Sequence, residues 1–406
     1  MKVIEGGVTA PVGFRAAGVA AGIKPSGRDV AVVLSDADAT AAAVFTQSLV
    51  KAAPVVYSQG VMNNGGPVRA IVINSGNANA CTGAAGERHA AQMAEAAAKG
   101  CGVLASEVLV ASTGVIGVPL PIERVLDGIA AACHALEPGV QSAGHAVEAI
   151  MTTDTVPKQI AVQVEVDGTP VTIGGMAKGS GMIHPNMATM LGVVTTDARL
   201  PRGTLQTLLR ETVDVTFNMI SVDGDTSTND TVAVLANGMA GGPELTAQHP
   251  GFETFRAAFR YVLEFLAKEI ARDGEGATKF IEVSVRQART AADARALVKT
   301  VLTSSLVKTA FFGEDANWGR ILAAMGRAGA AFDVARVSIA FASAAGLLEL
   351  MRDGEPVPFD EEEAKRVLRP RDIQVSITLQ DGTAEATGWG CDLSYEYVRI
   401  NGDYRT

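Results

Sequence analysis

The sequence predicts an α/β fold, and three observations lead to that prediction. Short apolar runs rich in Val and Ile recur between Gly- and Asn-rich breaks along the chain, as expected for buried strands. Helical periodicity is also present, most clearly where Phe255, Phe259, Val262, Phe265 and Leu266 fall on one face. Strands and helices do not alternate one for one, so a doubly wound parallel sheet is not required. A chain of 406 residues exceeds what one core usually holds, which favours two lobes.

Each element is predicted from one of these two periodicities. Runs of β-branched and other apolar residues predict strands at 29–34, 69–73, 107–111, 159–166, 232–236, 280–285, 336–342 and 373–379. Amphipathic periodicity predicts helices at 86–99, 122–136 and 252–272. Residues 238–251 have the Gly- and Pro-containing composition of a surface loop. Residues 352–371 are charged and interrupted by Pro, which predicts a solvent-facing insert.

Composition narrows the classes of function. The formal charge is −10 and no run of Lys or Arg stands out, so we expect no nucleic-acid partner. The first residues lack the apolar core of a signal peptide, and no continuous apolar segment is long enough to cross a membrane. The four cysteines are scattered without a C-x-x-C pair, which favours free thiols in a reducing compartment. We therefore expect a cytoplasmic enzyme without a membrane partner.

The segment with the most chemical information is KGSGMIHPNMATML, residues 178–191. A Gly-rich turn carries one Lys, a Pro then restricts the backbone, and a small residue followed by Thr opens an apolar run. Composition alone fits a loop entering a buried strand equally well. The identity of the whole pattern, rather than its composition, favours a catalytic role.

This segment resembles the signature of the ornithine acetyltransferase family, whose chains cleave themselves between the Ala and the Thr. The scissile bond would be Ala188–Thr189, giving an α chain of residues 1–188 and a β chain of residues 189–406. The resemblance extends over nearly the whole sequence, through GVTAPVGFRAAGVAAGIK, NSGNANACTG, STGVIG, MTTDTVPK, VDGDTSTNDT, GEGATK and SLVKTAFFGEDANWGRI. Several motifs in the right order are far more specific than one.

Elementary chemistry agrees with Thr189 as the nucleophile. A Thr hydroxyl is a poor nucleophile until a base takes its proton. Cleavage before Thr189 would free an α-amine, whose ordinary pKa of about 7.7–8.0 suits a general base near neutral pH. The nucleophile would then supply its own base, directly or through water.

Acyl transfer also needs hydrogen-bond donors for the oxyanion. The Ser112-Thr113-Gly114 turn follows a predicted strand, although Ser-Thr-Gly after a strand is by itself common turn chemistry. The resemblance implies that the Thr113 hydroxyl and the Gly114 N–H form the oxyanion hole.

The resemblance also implies a set of substrate contacts. A Lys cation suits the α-carboxylate that N-acetylornithine and glutamate share, and Glu275 suits the ornithine ammonium group. The residues themselves leave open which of Thr152 and Thr153 faces the substrate. The implied contacts are Thr152, Lys178, Thr189, Glu275, Asn401 and Thr406.

The family fold implied is α/β, with stacked sheets between helical layers and two interwoven lobes, reminiscent of N-terminal-nucleophile hydrolases. The implied reaction is ping-pong transfer of an acetyl group from N2-acetyl-L-ornithine to L-glutamate, in arginine biosynthesis, by an α₂β₂ heterotetramer. We expect no metal and no organic cofactor. Acetyl-CoA is a possible second acetyl donor, and no motif separates enzymes that use it from those that do not.

Two alternatives remain open from the sequence. One is a self-processed aminopeptidase or amidase of the same architecture, which would hydrolyse its acyl-enzyme. The other is a catalytically silent scaffold protein. Residues 223–230, DGDTSTND, faintly resemble a calcium loop, but Thr228 stands where an EF-hand requires Gly. We therefore predict a tight polar turn there.

Overall fold

The computed structural model describes residues 1–184 and 190–403. The strands are β1 (Lys2–Ile4), β2 (Phe14–Val19), β3 (Val30–Phe45), β4 (Val68–Asn77), β5 (Val108–Val115), β6 (Lys158–Val166), β7 (Thr169–Lys178), β8 (Leu191–Thr196), β9 (Ile220–Ser221), β10 (Thr231–Ala236), β11 (Phe280–Ala288), β12 (Ser338–Ser343), β13 (Gly346–Arg352), β14 (Glu355–Pro356), β15 (Asp372–Thr378) and β16 (Ala384–Cys391). The helices are α1 (Ala53–Asn64), α2 (Gly83–Cys101), α3 (Ile122–His134), α4 (Val140–Ile150), α5 (Arg202–Asp214), α6 (Phe252–Arg272), α7 (Ala291–Leu302), α8 (Ser305–Phe312), α9 (Trp318–Met325), α10 (Glu361–Leu368) and α11 (Tyr395–Asp403).

The first sheet brings together strands from both sides of the segment 185–189. Within the described residues its order is β1-β6-β7-β8-β10-β3-β4-β5, with β2 also paired to β3. β7 and β8 are antiparallel, with Lys178 opposite Leu191, and β8 and β10 are parallel. The carboxyl end of β7 and the amino ends of β8 and β10 therefore meet at one edge of the sheet.

The second sheet is built almost entirely from the last third of the chain. Its order in the described part of the chain is β14-β13-β12-β15-β11-β16-β9. The central pair, β11 and β15, is parallel, whereas β16 runs antiparallel to β11. Alternate residues of β15 are buried and exposed, so one face of this strand packs on the core.

Helices cover both sheets, and α6 lies between them. This helix packs against β6 and β7 of the first sheet and against β16 of the second. Its buried positions include Phe255, Phe259 and Val262, the face that the periodicity predicted. No helix in the described ranges is long and apolar enough to cross a membrane.

The prediction of an α/β fold with sheets and helices in layers is confirmed. Every strand and helix predicted from periodicity lies within or across an observed element, and residues 238–251 form a loop. The prediction of a solvent-facing insert at 352–371 is wrong in part. That stretch contains α10, and its Ala364, Val367 and Leu368 are buried in the main core. The high charge of the exposed face of α10 concealed its short apolar face.

Candidate active site

A cavity of about 200 Å³ lies at the edge where β7, β8 and β10 meet. Met190 and Leu191, at the start of β8, form part of its wall. Six residues predicted from the sequence line it: Thr113, Gly114, Thr152, Lys178, Glu275 and Asn401. The predictions for Ala188, Thr189 and Thr406 fall on residues outside those that the structure describes.

Thr113 and Gly114 lie near the end of β5, where the backbone requires glycine. Gly114 has φ +131°, a conformation that residues with a side chain rarely adopt. A Cβ atom there would lie 2.3 Å from the backbone carbon of Gly76 on β4. The close approach of β4 and β5 at this point therefore depends on Gly114. Ser112, Thr113 and Gly114 belong to β5 itself, so the prediction of a turn after the strand is wrong, and the end of β5 lies at the cavity.

Asparagine and serine side chains hold this end of β5 in place. Ser112 donates a hydrogen bond to the side-chain oxygen of Asn74 at 2.6 Å, and the Asn74 amide donates to the Asn77 carbonyl at 2.8 Å. Asn229, from the loop before β10, donates to the carbonyls of Ala78 and Ser112 at 2.6 and 2.8 Å. The NSGNANACTG motif thus has a structural role, which is to fix the end of β5.

Lys178 is the cation of the cavity. It is 7% exposed at the end of β7, and its Nζ donates to the Thr152 hydroxyl at 2.8 Å. The same Nζ lies 3.4 Å from the Thr113 hydroxyl. Of the two threonines left open by the sequence, Thr152 therefore faces Lys178, although Thr153 also lines the cavity.

A buried carboxylate near the cavity offsets the positive charges of two lysines. Asp154 accepts a hydrogen bond from Lys158 at 2.8 Å and from the Gly179 N–H at 2.7 Å, and it lies 3.9 Å from Lys178. Burial alone would raise the pKa of Asp154, but the ammonium charges of Lys178 and Lys158 outweigh burial and lower it to about 2. Burial lowers the pKa of Lys178, and Asp154 opposes that change. Asp154 therefore helps to keep Lys178 charged.

Glu275 lies on another wall, at 5% exposure. Its Oε2 accepts a hydrogen bond from the Asn401 side chain of α11 at 2.7 Å. A Cβ atom at Gly181 would lie 2.4 Å from the Glu275 carboxylate, so a side chain at this position would displace that carboxylate. The GEGATK and KGSG motifs meet at this contact.

The loop that precedes the predicted cleavage site is held by Asp223. Its carboxylate accepts hydrogen bonds from the Met182 and Ile183 N–H groups at 2.6 and 2.9 Å. It also accepts from the Asp225 N–H at 3.2 Å, closing the polar turn predicted for residues 223–230. Burial raises the pKa of Asp223, and these backbone hydrogen bonds oppose the change.

Sequence reasoning missed several of the polar residues that build the cavity. Asp154, Asp223, Asn229 and Asp230 were not singled out, although each lies in a motif that was. The available signal was the density of Asp and Asn in MTTDTVPK and VDGDTSTNDT. Such residues are usually turn formers, so the sequence alone favoured that interpretation.

A layered α/β enzyme is the class that this fold and this cavity define. Comparison with known proteins then gives the family: residues 15–406 match the ArgJ family, and the chain belongs to it. This confirms the family and the enzymatic nature predicted from the sequence motifs.

Full-length relatives support the assignment. The arginine biosynthesis bifunctional protein ArgJ of Symbiobacterium thermophilum is 56% identical over 409 residues, covering 100% of both chains. The protein of the same name from Caldanaerobacter subterraneus is 51% identical over 407 residues, again covering 100% of both. A crystal structure of the arginine biosynthesis bifunctional protein ArgJ from Bacillus halodurans has a TM-score of 0.50 and 45% identity. It covers 52% of this chain and 98% of the solved chain.

Proposed function

We propose that this chain transfers the acetyl group of N2-acetyl-L-ornithine to L-glutamate through an ester on Thr189. In this proposal the chain first cleaves itself between Ala188 and Thr189. The observation that carries the proposal is the convergence of six predicted residues on one cavity, whose wall includes Met190, the residue bonded to Thr189.

The charges of the cavity suit the two substrates. Lys178 is a buried cation and fits an α-carboxylate, which both N-acetylornithine and glutamate carry. Glu275 is a buried carboxylate and fits the side-chain ammonium of ornithine. A cation and an anion on separate walls favour an amino acid with a charged side chain over an uncharged acyl substrate.

The transfer takes place in two half reactions. Thr189 Oγ attacks the acetyl carbonyl carbon while its proton passes to the Thr189 α-amine, and the oxyanion forms beside the Thr113 hydroxyl and the Gly114 N–H. The C–N bond then breaks, ornithine leaves with that proton, and the acetyl group stays on Oγ. The amine of glutamate next attacks the ester carbonyl, its proton returns to Oγ through the α-amine, and N-acetylglutamate is released.

Self-cleavage uses the same hydroxyl. Thr189 Oγ attacks the Ala188 carbonyl carbon, the peptide C–N bond breaks as the nitrogen takes a proton, and water hydrolyses the resulting ester. The coverage of the Bacillus halodurans structure is in line with this step, because the solved chain matches only 52% of this one yet is covered over 98% of its own length. We propose that the products stay together in a cytoplasmic α₂β₂ heterotetramer, which light scattering would test.

A second acetyl donor is also part of the proposal. The relatives from Symbiobacterium and Caldanaerobacter are both named as bifunctional proteins, which supports a second activity in this chain. Acetyl-CoA would acylate the same Thr189 hydroxyl, and no further cofactor is required. The test is formation of N-acetylglutamate from acetyl-CoA and glutamate in the absence of acetylornithine.

We expect the Thr189→Ala variant to remain a single chain and to transfer no acetyl group, because one hydroxyl serves both steps. Mass spectrometry of the denatured protein shows whether the chain is cleaved. N-terminal sequencing of the wild-type protein should find one fragment that begins at Met1 and one that begins at Thr189. With acetylornithine and no glutamate, the wild-type fragment starting at Thr189 should gain the mass of one acetyl group.

Thr195→Ala serves as the matched control, since this buried Thr of β8 bonds the Val8 carbonyl away from the cavity. We expect Thr195→Ala to cleave itself after residue 188 and to transfer the acetyl group as the wild-type protein does. A Thr189→Ala variant that still splits after residue 188 would exclude Thr189 as nucleophile. Cleaved wild-type protein that hydrolyses acetylornithine without acetylating glutamate would favour the aminopeptidase or amidase alternative. Uncleaved, inactive wild-type protein would favour the scaffold alternative.

A further inference from the structure

Cys101 and Cys133 lie against each other where α2 packs on α3. Their Sγ atoms are 3.5 Å apart, although the two residues are separated by 32 positions in the sequence. Both side chains are half-buried, and both thiols are free. The fold therefore brings together two thiols that the sequence leaves far apart.

The contact follows from the packing of the two helices. Cys101 ends α2, and Cys133 lies in the last turn of α3. A Cβ atom at Gly100 would lie 2.7 Å from both the Cβ and the Sγ atom of Cys133, so a side chain at position 100 would push Cys133 aside. Both cysteines pack against the core that α2 and α3 share with β4 and β5. Packed elements thus hold the two sulfur atoms within reach of each other.

A disulfide between these residues requires only a small movement. The S–S bond is about 2.05 Å long, so the two sulfur atoms have to approach each other by roughly 1.5 Å. Rotation of the two side chains about their Cα–Cβ bonds moves the sulfur atoms over such distances. The helices can therefore keep their places on the sheet when the bond forms.

We propose that Cys101 and Cys133 form a reversible disulfide in the folded protein by exchange with a small-molecule disulfide. The Cys101 thiolate attacks one sulfur of that molecule, which leaves a mixed disulfide on Cys101 and releases one thiolate. The Cys133 thiol then gives up its proton, its sulfur attacks the Cys101 sulfur, and a second thiolate is released. Two protein thiols are oxidised, the small disulfide is reduced to two thiols, and the protons of the cysteines end on those thiols.

The surroundings of the pair favour Cys101 as the attacking thiol. The hydrogen bond from Cys133 lowers the pKa of the Cys101 thiol, and burial opposes that change. The charges of Arg15 and Arg69 lower the pKa further. The same hydrogen bond, together with burial, raises the pKa of Cys133. Because the thiolate is the nucleophile, Cys101 reacts first and Cys133 resolves the mixed disulfide.

The bridge encloses β5, the strand that carries Thr113 and Gly114. α2 precedes this strand and α3 follows it, so a bond between the ends of the two helices closes a loop of chain around it. Such a loop restricts the unfolded chain and thereby stabilises the folded one. Cys101 and Cys133 lie outside the residues that line the cavity, so the bridge stabilises this unit without altering the site. In a reducing compartment the thiols stay free, and the bridge forms on oxidation.

The test is incubation of the folded protein with oxidised glutathione, followed by alkylation in denaturant and mass spectrometry. Cys81→Ser removes an exposed thiol that would form its own adduct, and it leaves three of the four cysteines. We expect three alkyl groups on the reduced Cys81→Ser protein and one on the oxidised protein. Peptide mapping should find the segments around residues 101 and 133 joined, and dithiothreitol should separate them.

Cys101→Ser and Cys133→Ser, each added to Cys81→Ser, are the controls. Neither should form the bridge, and Cys133→Ser should stop at a glutathione adduct on Cys101. Thermal unfolding at one protein concentration should show the bridged protein unfolding about 3–5 °C above the reduced protein, a rise that both controls should lack. Acetyl transfer should proceed at the same rate in the bridged and reduced forms.

Peptide mapping of oxidised wild-type protein needs no variant, so it decides the matter even where the substitutions impair folding. A glutathione adduct on Cys101 that never resolves, or two cysteines that do not react, would overturn the proposal. A bridge that leaves the unfolding temperature unchanged would refute its stabilising role. None of these outcomes bears on the proposed function, since bridge formation does not require cleavage or transfer.

Discussion

Gly114 and Asn229 hold Thr113 in place at the cavity. Gly114 allows the close approach of β4 and β5, and Asn229 binds the carbonyl of Ser112 beside it. A hydroxyl fixed in this way is already oriented before a substrate binds. Such preorganisation is what makes a hydrogen-bond donor effective for a developing oxyanion.

Thr113→Ala should lower kcat for transfer by about 10²–10³-fold, the usual effect of losing one oxyanion donor. Self-cleavage should slow as well, because it passes through an oxyanion at the same residue. Thr113→Ser keeps the hydroxyl and should retain most of the activity. Steady-state kinetics and the rate of chain splitting measure the two effects, and unchanged rates in Thr113→Ala would remove Thr113 from the oxyanion hole.

At the level of single residues, the motifs singled out Thr113, Lys178 and Glu275, and the structure brings these three residues to one cavity. They did not predict that Asn229 binds the end of β5. Its partners, the carbonyls of Ala78 and Ser112, are distant in sequence and become neighbours only in the folded chain. A side chain whose role depends on a long-range partner gives no local signal.

At the level of elements, the end of β7 is stabilised by buried charges rather than by apolar contacts alone. Lys158, at the start of β6, bonds both Asp154 and Asp273, the latter at 2.6 Å. Asp273 follows α6, so the network ties the two strands to that helix. Removing one member of such a buried group is strongly destabilising, since its partners stay buried and charged.

Asp154→Asn should destabilise the protein by about 3–5 kcal/mol at pH 7. Its folded pKa of about 2 lies below the ordinary value of 3.8. Such a group stabilises the fold above pH 3.8 and loses that contribution as the pH falls toward about 2. Urea unfolding at several pH values should therefore show the difference from wild type shrinking by about 2 kcal/mol in that interval.

Asp36→Asn is the control, because Asp36 forms an exposed pair with Arg15. Surface pairs contribute about 0–1 kcal/mol, so this variant should stay close to wild type at every pH. A gap between wild type and Asp154→Asn that is constant with pH would show that Asp154 is not ionised at low pH in the folded state.

Elements were predictable from the sequence where apolar residues recur at a regular spacing. β6, β10 and β11 are dense in Val and Ile, and α6 carries its aromatic face for five turns or more. α1 and β8 gave weaker signals. The apolar and polar residues of α1 are spread around the helix, and β8 is short and starts beside the glycine-rich motif.

At the level of the whole molecule, the segments before and after residue 188 form one structure. β8 lies between β7 and β10 in the first sheet, and β10 pairs with β3 on its other side. The core around α6 contains residues from both segments. The pairing order of the strands could not be read from the sequence, since nothing local specifies which distant strands become neighbours.

The two products of cleavage should therefore remain associated. We expect both fragments to elute together in size-exclusion chromatography, at the volume of the uncleaved Thr189→Ala chain, and to separate only in denaturant. The reason is that separation would expose the hydrogen-bonding edges of β7 and β8 and the apolar core around α6. Fragments that separate in native buffer would contradict the arrangement of the sheet.

Because β8 lies inside the first sheet, self-cleavage also changes how the protein can refold. Before the cut, β7 and β8 are joined by a short tether, which keeps their effective concentration high while the sheet forms. After the cut the tether is gone, and a denatured molecule must reassemble from two separate polypeptides. Renaturation of the mature protein should consequently be second order and dilution-sensitive, whereas Thr189→Ala should refold at a rate independent of concentration. The intact peptide bond would thus serve as a built-in folding aid that the enzyme discards once its structure is complete.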